Sequence, residues 1–152
     1  MMAFAFHNSK KRAAPNVFLN KLTIGSAALL FGFVIAGAFV LTGILNRAAD
    51  VSLRSPSGQY LIESVPASSI LTPRDSVYLR FTDLNDLGHV YRTPLFSDVS
   101  LDMNADESDD AVGVVFIKLD KKSKVFTLAL SNPRKHWLDQ FISNAPYEVI
   151  PN

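Results

Sequence analysis

Hydrophobic and polar positions fall into two regimes along this chain. From Leu22 to Asn46 no Lys, Arg, Asp, Glu or His interrupts the run. A helix needs about 20 apolar residues to cross a hydrocarbon core of about 30 Å, so the run predicts one transmembrane helix over 22–46. It exceeds the roughly 7–15 apolar residues of a secretory signal and is followed by Arg47, which favours an anchor over a cleaved leader. Ala28, Gly32 and Ala36 recur four apart on it. Small side chains at that spacing let two membrane helices approach closely, so these are the candidate helix-packing residues, for a homo-oligomer or for another membrane protein. The span holds no ionisable group, so it offers no proton or ion path.

Behind the run the period shortens to two. Residues 47–58 read as a polar linker closing in the turn Ser55-Pro56-Ser57-Gly58. From residue 59 to 152 the pattern predicts a soluble, mainly antiparallel β (α+β) domain with one C-terminal helix. Gln59 to Val65 alternates, with Tyr60 and Ile62 on one face and Leu61 and Val65 on the other. Pro66 to Asp75 reads as a loop. Val77, Leu79 and Phe81 alternate with Tyr78, Arg80 and Thr82 as a half-buried strand, and Asp83 to Gly88 turns it into a return strand, His89 to Thr93. The apolar run Val112 to Leu119 predicts one central strand. The charged turn Asp120-Lys121-Lys122-Ser123-Lys124 folds it back on Val125 to Leu130. One segment has helical spacing: Asn132 as cap, Pro133 at the first position, then Trp137, Leu138, Phe141 and Ile142, ended by Ala145-Pro146. Trp137 and Phe141 share a helix face and are expected in the core. Tyr147 to Ile150 predicts a last strand.

Charge sets the expected topology. The net charge is +1, but the tail 1–21 carries Lys10, Lys11, Arg12 and Lys21 with no acid, whereas every Asp and Glu follows the run. Lys and Arg beside a membrane segment stay in the cytoplasm, which predicts a cytoplasmic N-terminus and an extracytoplasmic domain. The chain has no cysteine, which removes disulfides, thiolate metal sites and a Cys nucleophile.

Little in the domain points to chemistry. Asp102, Asn104, Asp106, Ser108 and Asp110 alternate as the oxygen ligands of a calcium loop do. Glu107 then stands where the sharp turn needs Gly, and Gly113 where a bidentate Glu belongs, so a solvated loop between strands is the expectation. Its acids Asp102, Asp106, Glu107, Asp109 and Asp110 are candidate contacts for a basic partner, since like charges gathered together steer opposite ones. They cluster too closely for the separated, shielded carboxyls of a glycosidase. His89 and His136 belong to no Gly-x-Ser-x-Gly, Ser-x-x-Lys or His-x-x-x-His pattern. Lys118, Lys121, Lys122 and Lys124 read as a charged hairpin tip and not as a nucleic-acid patch. No enzyme activity, metal, cofactor or nucleic-acid partner is expected.

The segment Ser55-Pro56-Ser57-Gly58-Gln59-Tyr60-Leu61-Ile62-Glu63, placed behind a membrane helix, resembles the Ser-Pro-x-Gly-x-Tyr opening of a group of small single-pass bacterial inner-membrane proteins. Val77 to Asp83 and Asp110 to Val114 are similar in placement. Some proteins of this build neutralise toxins delivered by contact-dependent secretion. The resemblance implies an inner-membrane protein with a periplasmic β-rich domain that binds another protein, an immunity protein being one form, and it brings no catalytic motif. The alternative expectation is an accessory subunit assembled through its membrane helix.

Overall fold

The computed structural model describes residues 17–98, 101–130 and 135–151. The tail residues Lys10, Lys11 and Arg12, and the expected helix cap at Asn132-Pro133, lie outside them. The chain divides into two compact units, Met1–Ala36 and Gly37–Asn152. Helix α1 (Val17–Leu45) begins in the first and ends in the second. It starts ahead of the expected 22–46 span and stops one residue short of its end. Every residue from Gly25 to Ala36 is exposed, including Leu30, Phe31, Phe33 and Val34. By length and composition, Gly25–Leu45 is long and apolar enough to cross a membrane.

The second unit holds two five-stranded sheets among the described residues. In the first, β1 (Val51–Arg54), β2 (Tyr60–Pro66), β3 (Ser76–Asp83) and β4 (Val90–Arg92) pair in that order, and β5 (Phe96–Ser97) pairs with the Ser76 end of β3. The second sheet consists of β6 (Ala105–Glu107), β7 (Ala111–Val114), β8 (Ile117–Asp120), β9 (Phe126–Ala129) and β10 (Tyr147–Ile150), ordered β10-β9-β8-β7-β6. All pairs are antiparallel except β9 with β10. Parallel neighbours need a long crossover, and the segment carrying α2 (Asp139–Ile142) supplies it.

The expected strands at 59–65, 77–82, 89–93 and 147–150 are present, as is the hairpin around Asp120–Lys124. Four expectations need correction. Part of the presumed linker is β1, because Asp50 N–H donates to Ser64 O at 2.9 Å and Leu53 pairs with Ile62, packing on the core. The run 112–119 is two strands, not one. Val114 pairs with Ile117, and Val115 and Phe116 form the turn between them, 43% and 37% exposed. A Cβ on Gly113 would sit 2.0 Å from Ile117 O, so glycine permits the close return. The stretch 101–107 is not a loop throughout, since it runs into β6. The late helix is one turn. Leu138 and Ile142 are buried, while Trp137 and Phe141, one position round the turn, are 57% and 49% exposed.

Two apolar clusters form the interior. Between the sheets, Tyr60, Ile62, Leu79 and Phe81 meet Val112, Val114, Ile117, Leu119, Phe126 and Leu128, with the Phe81 and Phe126 rings 5.2 Å apart. On the other face of the first sheet, Val65 and Tyr78 join Ile44 of α1, Ala67, Leu95, and Leu138 and Ile142 of the α2 segment. β3 is therefore covered on both faces, Leu79 and Phe81 in one cluster and Tyr78 in the other.

Candidate functional site

The last turns of α1 belong to the domain. Gly37, Val40, Leu41, Ile44 and Leu45 form a half- to fully buried stripe, and Ile44 is 1% exposed. Positions three and four apart share one helix face, so this face alone is covered while Phe39 stays 75% exposed. A helix C-terminus leaves carbonyls without partners. Here the Tyr78 hydroxyl donates to Leu45 O at 3.3 Å and Ile44 O at 3.5 Å. Burial raises the Tyr78 pKa, keeping it a neutral donor. Two residues on, Arg47 Nη1 donates to Ser68 O at 2.7 Å and Pro66 O at 3.3 Å. Helix end, Arg47, Asp50 and β1 are thus attached in succession. The sequence reading missed Ile44, Arg47 and Tyr78 as a set; the only signal was a large aromatic on the nominally solvent-facing parity of β3.

Of the candidate contact acids, Asp106 and Glu107 lie on the edge strand β6, Asp102 precedes it, and Asp109 and Asp110 follow it. Leu101, Met103, Ala105 and Glu107 are half-buried, and Asp102, Asn104 and Asp106 are exposed. Exposure alternates from Leu101 to Glu107, a stretch that enters β6 at Ala105, so Asp102, Asn104 and Asp106 lie on its outward side, while Ser108 and Asp110 come after the strand. Glu107 points inward and is 5% exposed at its side chain. It accepts from Ser57 N–H at 2.8 Å, Ser57 Oγ at 2.8 Å and Lys121 Nζ at 2.8 Å, bridging the β1–β2 turn to the β8–β9 turn. Burial raises its pKa, but the Lys121 ammonium and the Ser57 and Ser55 donors outweigh that and hold it at about 2.

One lysine on β8 and one in the β8–β9 turn neutralise two further acids. Lys118 pairs with Asp106, whose pKa it lowers, and Lys122 pairs with Asp110 at 3.1 Å. Asp102 and Asp109 remain exposed. The fourth lysine, Lys124, donates to Tyr60 Oη at 3.3 Å and lies over the Tyr60 and Tyr91 rings, 5.7 and 5.3 Å from their centroids.

The candidate helix-packing residues Ala28, Gly32 and Ala36 are all exposed, and a Cβ on Gly32 would meet nothing within 4 Å. His89 Nδ1 lies 2.7 Å from Asp86, with its ring stacked on Tyr91. His136 N–H donates to Asp139, and its Nδ1 accepts from Leu138 N–H, so it orders the α2 turn. Beside it an open depression of ≈ 630 Å³ is lined by residues including Lys135, His136, Trp137 and Tyr147. Among the described residues no three His, Cys, Asp or Glu side chains gather as metal ligands would. Compared with known proteins, the chain matches no family model, no curated protein and no solved structure.

Proposed function

We propose that this chain is a membrane-anchored protein-binding module of the bacterial inner membrane, with α1 across the bilayer, the basic tail in the cytoplasm and the β domain in the periplasm. Its concrete form is an immunity protein that blocks a periplasm-acting secreted toxin. The observation that carries the reading is α1 itself. Its apolar side chains are bare from Gly25 to Ala36, whereas its last turns are built into the domain. Leaving large apolar side chains in water forgoes about 1.5–3 kcal/mol each, and a bilayer removes that cost for a helix whose backbone is internally bonded. A core helix of a water-soluble domain would be covered by protein instead. An anchored domain stays near the membrane, which suits interception of a protein arriving there. Asp102 and Asp109, exposed near the β6 edge, supply charge for a basic partner.

The test uses the full chain in its native membranes. Alkaline washing should leave it in the membrane, and external protease should reach the domain only after the outer membrane is opened. Cells carrying it should survive a neighbouring secreted effector that kills cells without it, and Asp102→Lys with Asp109→Lys should remove that protection without removing the protein. Indifference of every such effector to its presence would sink the immunity reading.

A second reading, an accessory subunit assembled through its helix, is favoured by the uncovered stripe Ala28, Gly32 and Ala36. Gly32→Leu should then abolish cross-linking through α1, and unchanged cross-linking would remove it.

A further inference from the structure

We infer that the β domain rests on the surface of the bilayer holding α1, with Ile70, Trp137 and Phe141 sunk into the boundary between headgroups and acyl chains. The inference builds on the anchor reading above and adds a second lipid contact to it.

Three observations carry it. First, these large apolar side chains are exposed, Ile70 at 89%, Trp137 at 57% and Phe141 at 49%. Each extends from a segment whose neighbours are rooted in the cluster containing the end of α1: Ala67 and Leu71 flank Ile70, and Leu138 and Ile142 adjoin Trp137 and Phe141. Arg47, two residues past the helix, holds the Ile70 loop through Ser68 O and Pro66 O.

Second, the same helical turns have a lipid-ready side. Phe39 is 75% exposed on a stretch whose Val40 and Leu41 pack on the cluster. At 1.5 Å rise per residue, Phe39 lies about 9 Å along the axis from Leu45. If lipid covers Phe39, segments packed beside Val40 and Leu41 stand at the membrane boundary. Tryptophan suits that boundary because its ring is apolar and its N–H is not.

Third, the charge fits anionic headgroups. Lys135 and Arg74 are exposed on the two segments. The one acid between Lys135 and Ala145 is Asp139, which is 5% exposed and accepts from Leu95 N–H and His136 N–H. Asp75 beside Arg74 is exposed as well, so it is the Trp137 segment, aromatic and basic with its one acid buried, that has the pattern of an interfacial contact.

Trp137 is the chain's single tryptophan and there is no cysteine, so both sites can be read cleanly. Full-length protein is reconstituted into vesicles containing anionic lipid, with or without brominated acyl chains. Brominated lipid should quench Trp137 strongly, and acrylamide several-fold less in vesicles than for free tryptophan. An environment-sensitive dye on Ile70→Cys should report an apolar surrounding. The same dye on Leu87→Cys, at a position 69% exposed in the turn after β3, should report water.

Protein that floats with the vesicles while Trp137 stays open to acrylamide and untouched by bromine would overturn the contact and leave the anchor standing. Protection from both quenchers would put protein, such as a second copy, on this surface and also overturn it. Protein that fails to float would remove the anchor reading together with the inference.

Discussion

The Tyr78 hydroxyl sits 3.3 Å from the main-chain oxygen of Leu45 and donates to it, so a strand in the middle of the first sheet completes the C-terminus of the apolar helix. Tyr78 is fully buried, on the face of β3 opposite Leu79 and Phe81. The bond gives a carbonyl at the helix end a partner in a desolvated place, while the neighbouring Ile44 O also accepts from Arg47 N–H at 3.3 Å.

Tyr78→Phe keeps the ring and removes the donor. It should lower domain stability by about 1 kcal/mol, and Arg47→Ala, which frees two carbonyls, by about 2 kcal/mol. Denaturant unfolding of the full chain in micelles measures both. Wild-type stability in Arg47→Ala would mean that apolar packing around Ile44 alone holds the helix end.

Acid should loosen the join between the sheets at Glu107. Its carboxyl is held at about 2, below its ordinary 4.5. A depressed folded-state pKa adds stability that is complete above about 4.5 and disappears as pH falls through about 2. Unfolding followed from pH 7 downward should show a loss on the order of 2 kcal/mol in that window from this group. Glu107→Gln should begin less stable at pH 7 and show a flatter profile. An unchanged profile in the variant would assign the acid sensitivity elsewhere.

Gly113→Ala should be among the most damaging small changes. The added methyl would meet Ile117 O at 2.0 Å and Lys118 Cα at 2.9 Å, both backbone atoms of the neighbouring strand. Separation of β7 from β8 should cost about 2 kcal/mol or more, since strain and lost pairing act together. Gly88→Ala, whose new atom would meet only the Asp86 carboxylate at 3.4 Å, is the control. Amide exchange at Val112 and Val114 should accelerate only in the first variant.

Lys124 combines a cost with a gain. Its φ of 58° is left-handed, which favours glycine. Its ammonium reaches Tyr60 and Tyr91. Lys124→Met keeps the backbone cost and loses the cation, so it should destabilise by about 0.5–1 kcal/mol. In Lys124→Gly the two effects oppose, and stability should change by less. Equal losses in both variants would show that the ring contacts carry no weight.

Several elements were legible because local pattern and tertiary role coincide. Val77, Leu79 and Phe81 alternate and are buried where alternation puts them. The turn around Asp120–Lys124 forms where its charges are, with Asp120 accepting from the Lys122 and Ser123 amides. Other features were hidden because one pattern serves two causes. Oxygen side chains at alternate positions from Asp102 to Asp106 mark the exposed side of the chain running into β6 as well as they mark ion ligands. An unbroken apolar run from Val112 to Leu119 looks like one strand, because the Val115-Phe116 turn contains neither of the residues that usually announce one. Of the candidate contact acids, Glu107 differs from Asp106 only by parity, yet parity turns it inward to Ser57 and Lys121.

By itself the sequence determined the long apolar helix and the β-rich unit behind it. Both follow from short-range periodicity: uninterrupted apolar residues in one region and alternation in the other. Tertiary structure alone decided where the helix stops being a separate element. Tyr78 is far along the chain from Ile44 and Arg47, each of the three is individually ordinary, and only the folding of β3 and α2 onto one cluster brings them together. The same long-range packing left Trp137 and Phe141 outside while drawing Leu138 and Ile142 in. Helical spacing places neighbouring stripes on a turn; which stripe is covered depends on the surface it meets.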